Sequence, residues 1–338
     1  MRSEEILACS FPKWYSNFSK STIKSIILPI PGDVLAWLKS SDTLRLPKEC
    51  DQELKSEPAP EDDNSHEDEE DPWEEDDEED DDEAPHFPEF SSQIRSAVSR
   101  LGGKVFCKLN WSSPRDATWV AFGNSLQCTQ LSQIYLLLKS SEFLSHDLLT
   151  PFDCCEEDSV TPNPEVDYVL VLRKWTEINP GYEYRCFVKD KELIGVTQRD
   201  CTKFYNHIEA EEGSILTDIR SFYREQVQDR FPLNSFVFDV VRRGKDKVNL
   251  IDFNPYGPLT DGLLFDWDQD DLTTEGAPPA FAFRYIRDGT GIQPNGMRQY
   301  SLPRDMVDLA SGRDPDKLID FLKLQQSTEA VEEDQPQS

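Results

Sequence analysis

The chain has 338 residues, with 66 Asp and Glu against 35 Lys and Arg, for a formal net charge of −31. Residues 61–83 hold 18 of those acids and no Lys or Arg; the remainder carries −13, which offers a nucleic-acid backbone nothing without a local basic patch. No apolar run is long enough to span a membrane, and the start Met1-Arg-Ser-Glu-Glu-Ile is too acidic for a signal peptide. Eight cysteines without a C-x-x-C pair fit a reduced, intracellular compartment.

In chain order, Trp14-Tyr15 reads as an aromatic anchor, Thr22–Pro31 as a strand ended by proline, and Asp33–Lys39 as a short helix with an acid in its first turn. Periodicity vanishes between Pro47 and Pro85, where acids dominate and there is almost nothing to bury; this reads as a disordered tether. Ser91 or Ser92 caps a helix presenting Ile94, Val98 and Leu101, stopped by Gly102-Gly103. Val105–Leu109 is a strand carrying Lys108, which either snorkels at an edge or meets an anion. A polar loop, Asn110–Asp116, follows, and then a helix capped by Thr129 with Leu131, Ile134, Tyr135 and Leu138 inside. Tyr168–Trp175, Tyr182–Val188 and Leu193–Gln198 are strand-like, the last two joined as a hairpin. Ser214–Phe231 is an amphipathic helix, and the tail holds an irregular Gly/Pro segment and a helix near Asp316–Lys323. Antiparallel runs interrupted by helices make the chain α+β rather than doubly wound.

The stretch Phe236–Gly257 carries the chemistry. Two apolar runs flank the turn-rich Arg243-Gly-Lys-Asp246, and each is broken by an acid, Asp239 in the first and Asp252 in the second. A turn centred between Lys245 and Asp246 sets the two acids opposite each other, with Asn254 on the face of Asp252. Adjacent carboxylates in an apolar sheet repel each other and resist desolvation; a hard cation such as Mg²⁺ relieves both. The alternative is that one acid ends in solvent while the other pairs with Arg242 or Arg243. No Gly-rich phosphate loop or zinc motif is present, and four scattered histidines make no triad. Basic residues within or beside strands, Lys108, Arg173, Lys174, Arg185 and Arg199, face the Asp/Asp/Asn cluster. Cations for phosphate oxygens plus carboxylate-held Mg²⁺ are the minimal equipment for a nucleoside triphosphate. Each base alone is equally explained by a neighbouring acid, as Arg185 by Glu183.

Lys108-Leu-Asn-Trp-Ser-x-Pro-Arg-Asp116, Leu172-Arg-Lys-Trp175, Glu183-Tyr-Arg-Cys-Phe187, Gln198-Arg-Asp200, Val237-Phe-Asp-Val240 and Leu250-Ile-Asp-Phe-Asn-Pro255 resemble the cell division cycle protein 123 (D123) family. The resemblance runs through nearly the whole chain. It implies a divergent ATP-grasp fold, two α+β subdomains clasping ATP between antiparallel sheets. The boundaries expected are an N-terminal part of the core (1–46), the acidic insert (47–85), the two subdomains (86–160 and 161–270), a C-terminal extension (271–325) and a disordered tail (326–338). The resemblance further implies that Asp239, Asp252 and Asn254 hold Mg²⁺ and that Lys108, Arg173 and Arg185 meet the phosphates. Asn110, Trp111, Ser113 and Arg115 would form the loop over the nucleotide, and Arg173, Lys174, Trp175 and Ile178 would edge the adenine. By the same resemblance the protein is a cytoplasmic, monomeric chaperone. It would bind the gamma subunit of eukaryotic translation initiation factor two and promote assembly of the heterotrimer, supporting translation initiation and cell-cycle entry. The competing reading is an ATP-grasp ligase or kinase with an unidentified acceptor, and a third is an acidic scaffold without nucleotide.

Overall fold

Alternation along short strands decides which side chains reach the core and which reach the cleft. The computed structural model describes residues 1–40, 44–51, 84–155, 164–267, 272 and 281–294. The expected helix near Asp316–Lys323, the tail and most of the C-terminal extension lie outside them, as does 52–83 of the acidic stretch. Helices α1 (Ser3–Ala8) and α2 (Phe11–Phe18) lead to β1 (Ser25–Pro29) and α3 (Gly32–Lys39). Then come α4 (Pro88–Arg100), β2 (Val105–Lys108), α5 (Leu131–Ser140), α6 (Glu142–Leu149) and β3 (Val169–Lys174). A second group holds β4 (Glu183–Lys189), β5 (Glu192–Gln198), α7 (Asn206–Phe222), β6 (Phe236–Gly244), β7 (Lys247–Pro255) and β8 (Ala282–Arg284).

The strands form two sheets, one ordered β1-β3-β2 and one ordered β7-β6-β4-β5-β8. All pairings are antiparallel except that of β8 with β5, a short parallel edge inside the segment expected to be irregular. In the small sheet, Leu170 and Leu172 of β3 pack among residues of α3 to α6, while Val169 and Val171 join the core of the large sheet. In the large sheet, Phe236, Phe238 and Val240 bury against α2 and α7, so Val237 and Asp239 point the other way.

The β6–β7 hairpin turns at Lys245-Asp246, with Gly244 paired to Lys247 and Asp246 at φ +60°. One extra residue on each strand, Arg243 on β6 and Ile251 on β7, shifts the register twice in opposite senses. The shifts cancel, and Asp239 faces Asp252 as expected. Behind Asp252, Phe253 stacks on Phe231 at 3.9 Å and meets Trp14 at 5.3 Å and Phe18 at 5.1 Å. Each such pair contributes about 0.5–1.5 kcal/mol beyond area burial. The aromatic cluster thereby fixes the hairpin from behind and holds Asp252 and Asn254 on the opposite face.

Several elements differ from expectation. Helix α4 starts at Pro88, three residues before Ser91, because proline presets the first helical residue and lacks an amide to satisfy. The Ser91 hydroxyl is 3.0 Å from that of Tyr135 and caps nothing. Helix α5 has Gln130, not Thr129, at its N-cap. Helix α7 begins eight residues before Ser214, running through Gly213, and passes at Tyr223 into a π turn ending at Val227. Helix α6, absent from the sequence reading, follows α5 directly, capped by the Ser141 hydroxyl. The acidic stretch is not structureless at its start: Lys48–Cys50 forms a turn whose Cys50 is fully buried. The Lys48 amide there donates to the Pro85 carbonyl at 2.9 Å.

Candidate functional site

The two sheets face each other across a cleft of about 810 Å³. On β2, Phe106 and Lys108 alternate away from buried Val105 and Cys107, and Arg173 of β3 lies opposite Phe106 in the register. These three line one wall. The other wall carries Arg185 of β4, Asp239 of β6, and Ile251, Asp252 and Asn254 of β7. Arg185 and Asp239 are direct register partners, as are Asp239 and Asp252. Of the other sequence candidates, Trp111, Ser113, Arg115, Lys174, Trp175 and Ile178 also line the cleft.

Asp239 accepts two 2.8 Å hydrogen bonds from Arg185, through Nε and Nη2, and Arg199 Nε lies 3.4 Å from its Oδ2. Arg185 therefore pairs with Asp239, not Glu183. The third arm of Arg185, Nη1, donates to the Asp261 carbonyl at 2.6 Å. The next residue, Gly262, closes a tight turn in which a Cβ would fall 2.2 Å from the Phe265 carbonyl oxygen. Burial opposes the Asp239 charge, but Arg185 and then Arg199 outweigh it and hold the carboxyl at about 2. Asp252 is paired instead with Lys108 from the opposite wall, whose burial pulls the ammonium below its ordinary value against the attraction of Asp252. The alternative partner considered for these acids, Arg242, is occupied elsewhere by Asp218 and Glu211, both at 2.6 Å.

Two candidates do less than expected. Asn110 does not line the cleft: its Nδ2 donates to Ser10 Oγ and the Asp167 carbonyl, and its Oδ1 accepts from the Val169 amide. A buried amide satisfied on both sides braces the start of the loop, so the covering segment begins at Trp111. Arg173 spends Nη1 on the Ile251 carbonyl at 2.9 Å and Nη2 on Thr22 Oγ1 at 3.0 Å, tying the two sheets together. Its Nε is buried without a partner, as are Trp175 Nε1 and Asn254 Nδ2.

The loop over the cleft is fastened to α6 by two buried carboxylates. Asp147 accepts from the Ser112 amide at 2.7 Å and its hydroxyl at 2.9 Å, and Asp116 accepts from Ser141 Oγ at 2.6 Å and the Phe143 amide at 3.2 Å. Burial pushes the Asp147 carboxyl up to about 6, with the Ser112 hydrogen bonds and Lys108 pulling the other way. The loop carries Arg115, whose guanidinium finds no hydrogen-bond partner among the described residues, though its backbone amide donates to the Ser113 carbonyl. Walled in yet reached by solvent, it is pushed down to about 10 by burial and by Arg199 and Arg185. Burial also raises the Glu183 carboxyl beside it.

Phe106, Asp147, Glu183 and Ile251 were not singled out as site residues. Two of them carried a readable signal. Phe106 shares the strand face of Lys108, and Asp147 sits in a helical stripe with buried Leu144 and Leu148.

Asp239, Asp252 and Asn254 supply only oxygen ligands, two carboxylates and an amide, the set a hard cation such as Mg²⁺ takes. Among the described residues the Asn254 side chain makes no hydrogen bond, its Nδ2 being a buried donor without a partner, so its Oδ1 is uncommitted and fits that oxygen donor set. Among the described residues no three His, Cys, Asp or Glu side chains cluster for a metal, and no helix is long and apolar enough to cross a membrane.

The sequence matches the family described as D123 over residues 14–310. The translation initiation factor eIF2 assembly protein of Danio rerio is 48% identical over 334 residues, covering 96% of this chain and 94% of that one. Its Xenopus tropicalis counterpart is 43% identical over 341 residues, covering 99% and 100%. The solved structure of Cdc123 from Schizosaccharomyces pombe is similar with a TM-score of 0.67 at 33% identity, over 85% of this chain and 99% of that chain. With a family match spanning most of its length and relatives similar end to end, the chain belongs to the D123 family.

Proposed function

We propose that the cleft binds ATP together with Mg²⁺ in the manner of an ATP-grasp fold, and that the loaded protein is an assembly chaperone for eukaryotic translation initiation factor two. The observation that carries this is the opposition of the two walls. Lys108 and Arg173 face Arg185, Asp239, Asp252 and Asn254, and three buried donors there lack partners. Asp239, Asp252 and Asn254 would hold the cation. Bound there, Mg²⁺ would neutralise phosphate charge. Lys108, Arg185 and Arg115 bind and orient the phosphates, while Phe106 and Ile251 supply apolar surface for the base and exclude water. The assembly role is supported by the names of the relatives, and the gamma subunit is the partner we assign. On this reading the protein is a cytoplasmic monomer.

Adding Mg²⁺·ATP should raise the unfolding temperature of the wild type, and Asp252→Ala should abolish the Mg²⁺-dependent part of that rise. An unchanged rise in the variant would remove the metal assignment. In pull-downs the wild type should retain the isolated gamma subunit more strongly with Mg²⁺·ATP than without. The phosphoryl-transfer alternative predicts turnover near one per second, the low end of ordinary enzymes; the chaperone reading predicts negligible turnover, even with the gamma subunit present.

A further inference from the structure

The carboxylates assigned to the cation already have counter-charges, and the two acids are held differently. Asp239 is paired within its own sheet to Arg185, whose Nη1 is fastened to the Asp261 carbonyl. A carboxylate offers about four lone-pair sites, so Arg185 can stay while Asp239 accepts more. Asp252 is paired across the cleft to Lys108, whose side chain is 2% exposed while that of Asp252 is 20% exposed. Among the described residues the Lys108 ammonium has no second hydrogen-bond partner: the Phe11 ring lies 5.4 Å from Nζ, and Asp147 and Arg173 act on it only through space. A cation reaching Asp252 alone must displace that ammonium and leave it buried without its hydrogen-bonded counter-charge, with Asp147 acting only through space. A polyphosphate drawing Lys108 away alone must leave Asp252 uncompensated. When both arrive, each released group finds a new partner.

We propose that Lys108 acts as a stand-in counter-ion for Asp252, suppressing divalent-cation binding until a polyphosphate draws its ammonium away. This rests on the nucleotide reading of the same cleft and adds a regulation to it. Cation and polyphosphate then bind with mutual dependence, in the range of about 5–150-fold in affinity typical of coupled sites. Removing the Lys108 charge has opposite consequences for the two ligands: the cation gains and the polyphosphate loses.

The test uses the full chain, with Mn²⁺ as a paramagnetic probe of metal binding and ATP in EDTA as a probe of phosphate binding without metal. Lys108→Met should bind Mn²⁺ at least 10-fold more tightly than wild type and ATP in EDTA at least 10-fold more weakly. Unchanged or weaker Mn²⁺ binding by the variant, with Mg²⁺·ATP still bound by wild type, overturns the proposal. Lys108→Gln provides a second variant, with the same expectations. Should neither variant show a cooperative unfolding transition, the wild type decides: its ATP affinity must rise at least 5-fold on replacing EDTA with excess Mg²⁺, and equal affinities overturn the exchange. Wild type that binds no ATP under either condition removes the nucleotide reading, and this inference with it.

Discussion

The two ion pairs of the cleft look alike in composition but differ in what they connect. Arg185–Asp239 joins neighbouring strands of one sheet, is bidentate at 2.8 Å, and is almost wholly buried. Lys108–Asp252 joins the two sheets across solvent-reachable space. A guanidinium cannot shed its proton when its partner is lost; a buried ammonium can. In the proposed exchange, the first pair stays closed while the second opens.

The largest test of that contrast is Asp239→Ala. It strands a buried guanidinium and should cost about 3–5 kcal/mol in stability. Asp252→Ala should cost clearly less, since Lys108 can deprotonate. Urea unfolding of both variants measures the difference, and equal costs would erase the distinction between the pairs.

A smaller effect is expected at Asp147, which fastens the loop over Lys108. Its folded carboxyl, raised to about 6 from 3.8, holds a proton more tightly than the unfolded chain does. Ionising it on going from about pH 4 to above pH 6 therefore subtracts stability from the wild type, by at most about 3 kcal/mol. Asp147→Asn keeps an acceptor for Ser112 without the charge. Its stability relative to wild type should rise across that window, read from melting at pH 4.5 and pH 7.5. A gap that stays constant would show that Asp147 does not titrate there.

The smallest expected effect belongs to the acidic stretch. Deleting residues 56–84 should leave both the melting temperature and the ATP isotherm essentially unchanged. A lost isotherm would tie that stretch to the cleft.

Much of the large sheet was legible because its strands are strongly patterned: the hairpin turn, the facing of Asp239 and Asp252, and the shared face of Asn254 follow from period-two alternation. The register was foreseen without its two compensating irregularities, which leave no mark in composition. Helix α6 and strand β8 were missed because both are short and depend on tertiary packing rather than local pattern. Asn110 was placed in the site on resemblance, and only geometry reveals that its amide is spent on bracing; Arg173, read as a base facing the cluster, lines the cleft but commits Nη1 and Nη2 to bracing and leaves Nε unpartnered. Arg199, read as a base facing the acid cluster, does approach it, with Nε 3.4 Å from Asp239 Oδ2; the pairing distance itself belongs to the fold and not to the local sequence.

The closure of Lys48 onto Pro85, strengthened by Glu49 accepting the Phe87 amide at 3.1 Å, has a practical consequence. The two ends of the segment between Asp51 and Ala84 are thereby held close together, Lys48 bonded to Pro85. Where two chain ends are held together in this way, closure entropy grows only slowly with the number of residues between them, about 0.6 kcal/mol per doubling, so a change in that number is expected to cost the rest little. A fluorophore, an affinity handle or a whole reporter domain grafted into 52–83 would ride on this junction and leave both walls of the cleft intact for measurement.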